Sequence, residues 1–180
     1  MHELIHLETL IWLLPVAFFI HDAEEILTVE QQAHKHRDHP AFASQIRLLD
    51  WNKSVTLQFT VAVLLMGSIL LLVTSWQAAH FDGIRPLHAL FLGIVAVVLL
   101  DGVKHVGVTV AIRSYTPGVI TALFVEIPYG AYALYRFYEA GLAPPGTILL
   151  GIAMALPLVA LLIWTGLTVG NKISPRRKPL

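Results

Sequence analysis

The stretch AFFIHDAEEIL, residues 17–27, continues an almost unbroken apolar run from Leu10 to Ile20, then places His21, Asp22, Glu24 and Glu25 within five positions before Ile26 and Leu27. Imidazole and carboxylate are the side chains that ligate divalent transition metals and exchange protons near neutral pH. On a helix, His21, Glu24 and Glu25 stand at i, i+3 and i+4 and project from one face, with Asp22 further round. The segment LLDGVKHVG repeats those offsets with Asp101, Lys104 and His105, and Glu126 falls about nine residues into a later apolar run.

His21, Glu24, Glu25, Asp101, His105 and Glu126 have the composition of a di-iron carboxylate site in a helical bundle, although the order is His-x-x-Glu and Asp-x-x-x-His rather than Glu-x-x-His. A single zinc or iron held by two His and one Glu, with a remaining carboxylate as general base, fits the spacing equally well. The expected cofactor is a divalent transition metal, iron or zinc, in one or two copies. His21, Glu24, Glu25 and His105 are the expected ligands, and Asp101, Glu126 and Tyr115 the groups expected to orient a histidine or take a proton.

The elements that must position these residues are membrane helices. With 56% hydrophobic residues and a mean hydropathy of +0.70, the chain lies far above the globular level. It has no cysteine, which excludes disulfides, thiolate nucleophiles and Cys-ligated zinc. Its formal charge is zero with scattered basic residues, which gives no footprint for nucleic acid. MHELIHLETL lacks the basic start of a secretory signal peptide, so the first apolar segment is expected to stay in the mature protein.

A bilayer core about 30 Å thick needs roughly 20 apolar helical residues. Windows at about 54–76, 86–112, 117–137 and 147–169 meet that need, and the first segment meets it at about 7–27 only by running through the charged cluster. The expectation is one all-α domain over 1–180: a polytopic bundle of about five transmembrane helices, without internal repeats. A loop at about 28–53 carries a short interfacial helix, marked by Phe42, Ile46, Leu49 and Lys53, and a basic tail occupies 170–180. Nine Lys and Arg fall on one side of this arrangement, against Arg85 and Arg136 on the other with Lys104 inside a span. That asymmetry predicts a multi-pass plasma-membrane protein with the N-terminus outside and the C-terminus cytoplasmic.

Ionisable groups within a bilayer cost about 2.5–3.5 kcal/mol each at a helix centre, so they need partners. The five-span arrangement brings the three groups of polar residues to a similar depth in the cytoplasmic half. SYTPG then has a local reading: Thr116 as N-cap and Pro117 at the first helical position start the next span, Gly118 admits a close neighbour, and Tyr115 turns its hydroxyl toward the cluster. Pro128, two residues past Glu126, opens the backbone beside it.

HDAEE at residues 21–25, an intramembrane His105 and YTPG at residues 115–118 resemble the HxxEE-domain family of integral membrane proteins. His105 takes the place of the family's second histidine by its position before YTPG, with His88 as the alternative. The resemblance implies a polytopic membrane fold and a shared polar site, and supplies no reaction.

The leading functional expectation is a membrane-embedded metal-dependent enzyme, an oxidoreductase or hydrolase, acting on a lipid or other hydrophobic small molecule, with room for a homo-oligomer. Two other classes use the same residues: a proton- or cation-coupled transporter, and a structural or accessory membrane protein with a polar network. Metal content separates the first from the last, and ion flux separates the transporter.

Overall fold

The computed structural model describes residues 5–35, 48–80 and 86–176. They form five helices and, among the described residues, no strand. Helix α1 is Leu7–Lys35, α2 is Val55–Ala79 and α3 is Pro86–Ile112. Helix α4 comprises Val119–Thr121, a π-helical stretch Ala122–Glu126 and Ile127–Glu139, and α5 is Pro145–Ile173.

Local sequence explains most of these boundaries. Ser54 accepts the Leu57 amide at 3.3 Å and caps α2. Pro86 and Pro145 occupy first helical positions, where a missing N–H costs nothing. Helix α1 runs eight residues beyond the expected limit near Leu27, because VEQQAHK contains no glycine or proline to stop it. Of the expected interfacial helix, Phe42 and Ile46 lie outside the described residues, while Leu48 to Lys53 form turns.

The chain is an all-α membrane bundle. Helices α2, α3 and α5 are each long and apolar enough to cross a bilayer. Helix α1 carries the charged stretch and α4 is divided, so neither has the same uniform apolar character.

Close packing sets the helix directions. Helix α5 runs beside both α2 and α3, α1 lies against α2, and α4 packs on α3. At one end of the bundle, α3 and α5 meet backbone to backbone: a Cβ on Gly93 would fall 2.0 Å from the carbonyl carbon of Gly151. At the other end, α5 leaves α3 and closes on α2, where Gly166 faces Ala62 and Gly170 faces Gln58. That second end is tied by Ser174 Oγ donating to the Ser54 carbonyl at 2.9 Å and Lys53 Nζ to the Asn171 carbonyl at 2.6 Å. The ends of α1, α3 and α5 and the starts of α2 and α4 meet there, and the polar residues of α3 and α4 lie about two to three turns in from it.

The start of α4 corrects one expectation. The N-cap is Gly118, in the left-handed region at φ 80°, and not Thr116. Thr116 is buried and pairs its hydroxyl with Thr109 on α3. Gly118 has no side chain to cap with, so the exposed amides of the first turn are satisfied from outside α4.

Candidate metal centre

Glu24 supplies that cap. Its Oε1 accepts from Tyr115 Oη at 2.6 Å and the Ile120 amide at 3.3 Å, and its Oε2 accepts from the Thr121 amide at 2.7 Å and Thr121 Oγ1 at 2.6 Å. A cap side chain ordinarily bonds the amides two and three residues ahead of it. Here a carboxylate from α1 does so across the helix interface. Four donors on two oxygens make Glu24 an acceptor only.

This latch also decides the tautomer of His21. Thr121 has one hydroxyl proton, and it goes to Glu24, so Thr121 Oγ1 accepts from His21 Nδ1 at 3.1 Å. His21 Nε2 is left bare, buried and without a hydrogen-bond partner. His105 is oriented by another route: its Nδ1 donates to the Pro117 carbonyl at 2.8 Å, which turns Nε2 toward the carboxylates of Asp101 and Glu25. Metal-binding histidines characteristically give their second N–H to such an acceptor.

The two Nε2 atoms share their surroundings. The imidazoles of His21 and His105 stand edge to face with centroids 4.8 Å apart. Asp101 Oδ2 lies 3.1 Å from His105 Nε2 and 3.8 Å from His21 Nε2, and Glu25 Oε1 lies 3.2 Å from His105 Nε2. Lone pairs facing one another at these distances need a cation between them, a proton or a metal ion. Ligand atoms around a tetrahedral ion with bonds of about 2.0–2.1 Å stand about 3.3 Å apart; the two carboxylate contacts of His105 Nε2 match that spacing, and the His21 Nε2 contact at 3.8 Å is wider.

Among the described residues, two groups of three fit an ion on spacing: His21, Glu25 and His105, and His21, Asp101 and Glu126, each with ligand atoms within 4.8 Å of one another. Glu126 is buried, and its Oε2 lies 3.5 Å from His21 Nδ1 without a hydrogen-bond partner. It is the last residue of the π-helical stretch, in which the Ile127 amide bonds the Ala122 carbonyl five residues back. Pro128 lacks an N–H and cannot continue the ordinary ladder, and the widened turn before it carries Glu126.

The site residues expected from sequence thus separate into two sets. His21, Glu25, Asp101, His105 and Glu126 converge, whereas Glu24 and Tyr115 bond each other and the start of α4 beside them. Lys104 pairs with Asp101 through the other carboxylate oxygen. His88 is buried at the start of α3, away from the cluster, with Nε2 2.7 Å from the Leu142 carbonyl. Asp22, set aside on helical geometry, is buried and lines the same cavity as the cluster. Thr121 carried no chemical signal in the sequence, and Pro117 and Gly118 were legible only as a helix start and a place for a close neighbour, yet Thr121 and the Pro117 carbonyl orient the histidines. Gly118 provides the room, since a Cβ there would sit 2.6 Å from His21 Cε1 and 3.0 Å from Glu25 Cγ.

A family of proteins of unknown function, defined by an HXXEE motif, matches residues 12–133. The chain belongs to this HXXEE family. No curated protein and no solved structure matches it. The matched region holds the motif from His21 to Glu25 together with His105, the SYTPG turn and Glu126, so everything in the cluster lies within the family region, and α5 lies beyond it. Within the HXXEE motif of this chain, the histidine and the second glutamate face the cluster while the first glutamate latches α4.

Proposed function

We propose that the protein is a membrane-embedded metal-dependent enzyme acting on a lipid or other hydrophobic small molecule. The observation that carries this reading is the pair of histidines with both Nδ1 atoms bonded to oxygens of α4 and its leading turn and both Nε2 atoms turned toward Asp101 and Glu25. His21, His105 and Glu25 would hold a transition-metal ion, with Asp101 and Glu126 completing that ion's shell or holding a second. Such an ion, iron or zinc, supplies Lewis acidity and, if iron, redox chemistry.

The chain's own residues do the rest. Glu24, Thr121 and Tyr115 hold His21 against α4; the Pro117 carbonyl holds His105; whichever of Asp101 and Glu126 is not a ligand takes or gives the proton. The apolar walls above the cluster exclude water and receive the hydrophobic part of the substrate. We further place the cluster in the cytoplasmic half of five spans, with the N-terminus outside, on the asymmetry of Lys and Arg.

The Lys104–Asp101 ion pair favours a second reading, a structural polar network in which protons alone hold the carboxylates together. Elemental analysis of chelator-free protein in mild detergent, after growth with added iron and zinc, decides between them. About one or two ions per chain are expected. Glu25→Ala and His105→Ala should lower that content sharply while leaving a monodisperse protein. Metal-free wild type whose variants instead lose their fold would establish the network and remove the enzyme reading.

A further inference from the structure

The polar cluster lies along one side of a cavity of about 380 Å³ whose remaining wall is apolar. Along α3 the lining runs from Ile94 to His105, and along α2 from Phe59 to Leu70, each a rise of about 16 Å. Leu158 and Leu162 of α5 face the same space. The helix crossings account for this shape. Gly93 and Gly151 press α3 and α5 together beyond Ile94 and close that end. Toward the cluster, α5 turns away to α2 at Gly166 and Ala62, leaving a gap beside α3.

The burial of α3 records the gap. Its residues from His88 to Ala96 are all buried, but in its second half Leu100, Val103 and Lys104 are exposed, and the side chain of Asp101 is 37% exposed. Charged side chains open to the outside within a membrane-spanning helix mark a lateral mouth at the level of the cluster.

We propose that the substrate is a single-chain, uncharged amphiphile that enters from the bilayer through the gap between α3 and α5, its chain lying in the apolar arm and its oxygen-bearing head at the cluster. This rests on the metal-dependent reading for the chemistry of the head, though the binding of the chain stands apart from it. The volume lies near the low end for small-molecule sites, which suits one chain rather than a two-chain lipid. Charge selects the head. Asp22, Glu25, Asp101 and Glu126 line the cavity against one lysine, Lys104, already paired with Asp101. With one divalent ion bound, the four carboxylates still outweigh Lys104 and the ion together, so an anionic head meets net negative charge there, and a cationic head competes with the metal for the same carboxylates. An alcohol or ester oxygen does neither, and it is a ligand for a hard or borderline ion.

The test uses the full chain in proteoliposomes with hexadecan-1-ol carrying a mid-chain diazirine, irradiated and mapped by mass spectrometry. Labelling is expected on cavity residues such as Met66 and Leu162, and Met66→Trp and Leu162→Trp should each reduce it several-fold. Labelling confined to the outward faces of α2 and α5, or unchanged in both variants, would overturn the proposal. Hexadecanoate and phosphatidylcholine bearing the same photoprobe should label the cavity weakly. Strong labelling by the acid would overturn the uncharged head, and by phosphatidylcholine the single chain. Metal is measured on the same preparations. Cavity labelling without metal would leave chain binding in place and remove the metal reading, whereas metal without cavity labelling would do the reverse.

Discussion

Thr121 gives Glu24 both its amide, at 2.7 Å, and its hydroxyl, at 2.6 Å, and so ties the middle of α1 to the first turn of α4. The neighbouring Glu25 makes no such contact and faces His105 at 3.2 Å. Two adjacent glutamates therefore have different work, and substitution should separate them. Glu24→Ala leaves two amides and two hydroxyls without their acceptor and should destabilise the protein by about 1–3 kcal/mol. Glu25→Ala should have a smaller effect on thermal unfolding in detergent and a larger one on bound metal. Equal unfolding midpoints for the two variants would contradict the division.

The relay through Thr121 makes a finer prediction. Thr121→Val keeps the shape but removes the acceptor for His21 Nδ1, and it should weaken metal binding about 10–100-fold, as loss of an outer partner does. Thr121→Ser should restore it. Competition with a chelator of known affinity measures both, and a Val variant that binds as tightly as wild type would show that His21 is oriented by something else.

Gly118→Ala tests the turn. A left-handed alanine costs about 1–2 kcal/mol, and the added methyl would also lie 2.6 Å from His21 Cε1. Lowered thermal stability together with lowered metal content is expected. Gly146→Ala is the control, since nothing lies within 4 Å of a Cβ there. Retention of full metal content by the Gly118 variant would show that the turn and His21 are not in contact.

Reporter fusions at Leu180 and near Gly141 should land on opposite faces of the membrane, with Leu180 inside. Both on one face would contradict five spans and the shared depth inferred for the cluster.

The helices were legible in the sequence because apolar length and the proline and serine at helix starts are local properties. The i, i+3, i+4 offsets of His21, Glu24 and Glu25, and of Asp101, Lys104 and His105, likewise follow from 3.6 residues per turn. Burying several ionisable groups at one depth is costly enough that their convergence could be foreseen from the order of the spans. Local signals cannot tell which neighbour each side chain meets. Glu24 and Glu25 differ by about 100° around α1, enough to direct one to α4 and the other to α3, and only the packing of those helices says which. Thr116 has the chemistry of a cap but is drawn to Thr109, and the cap falls to a carboxylate 97 residues from Thr121. The gap that opens the cluster to the membrane depends on where α5 crosses α3 and α2, a relationship between glycines far apart in the chain that no single segment carries.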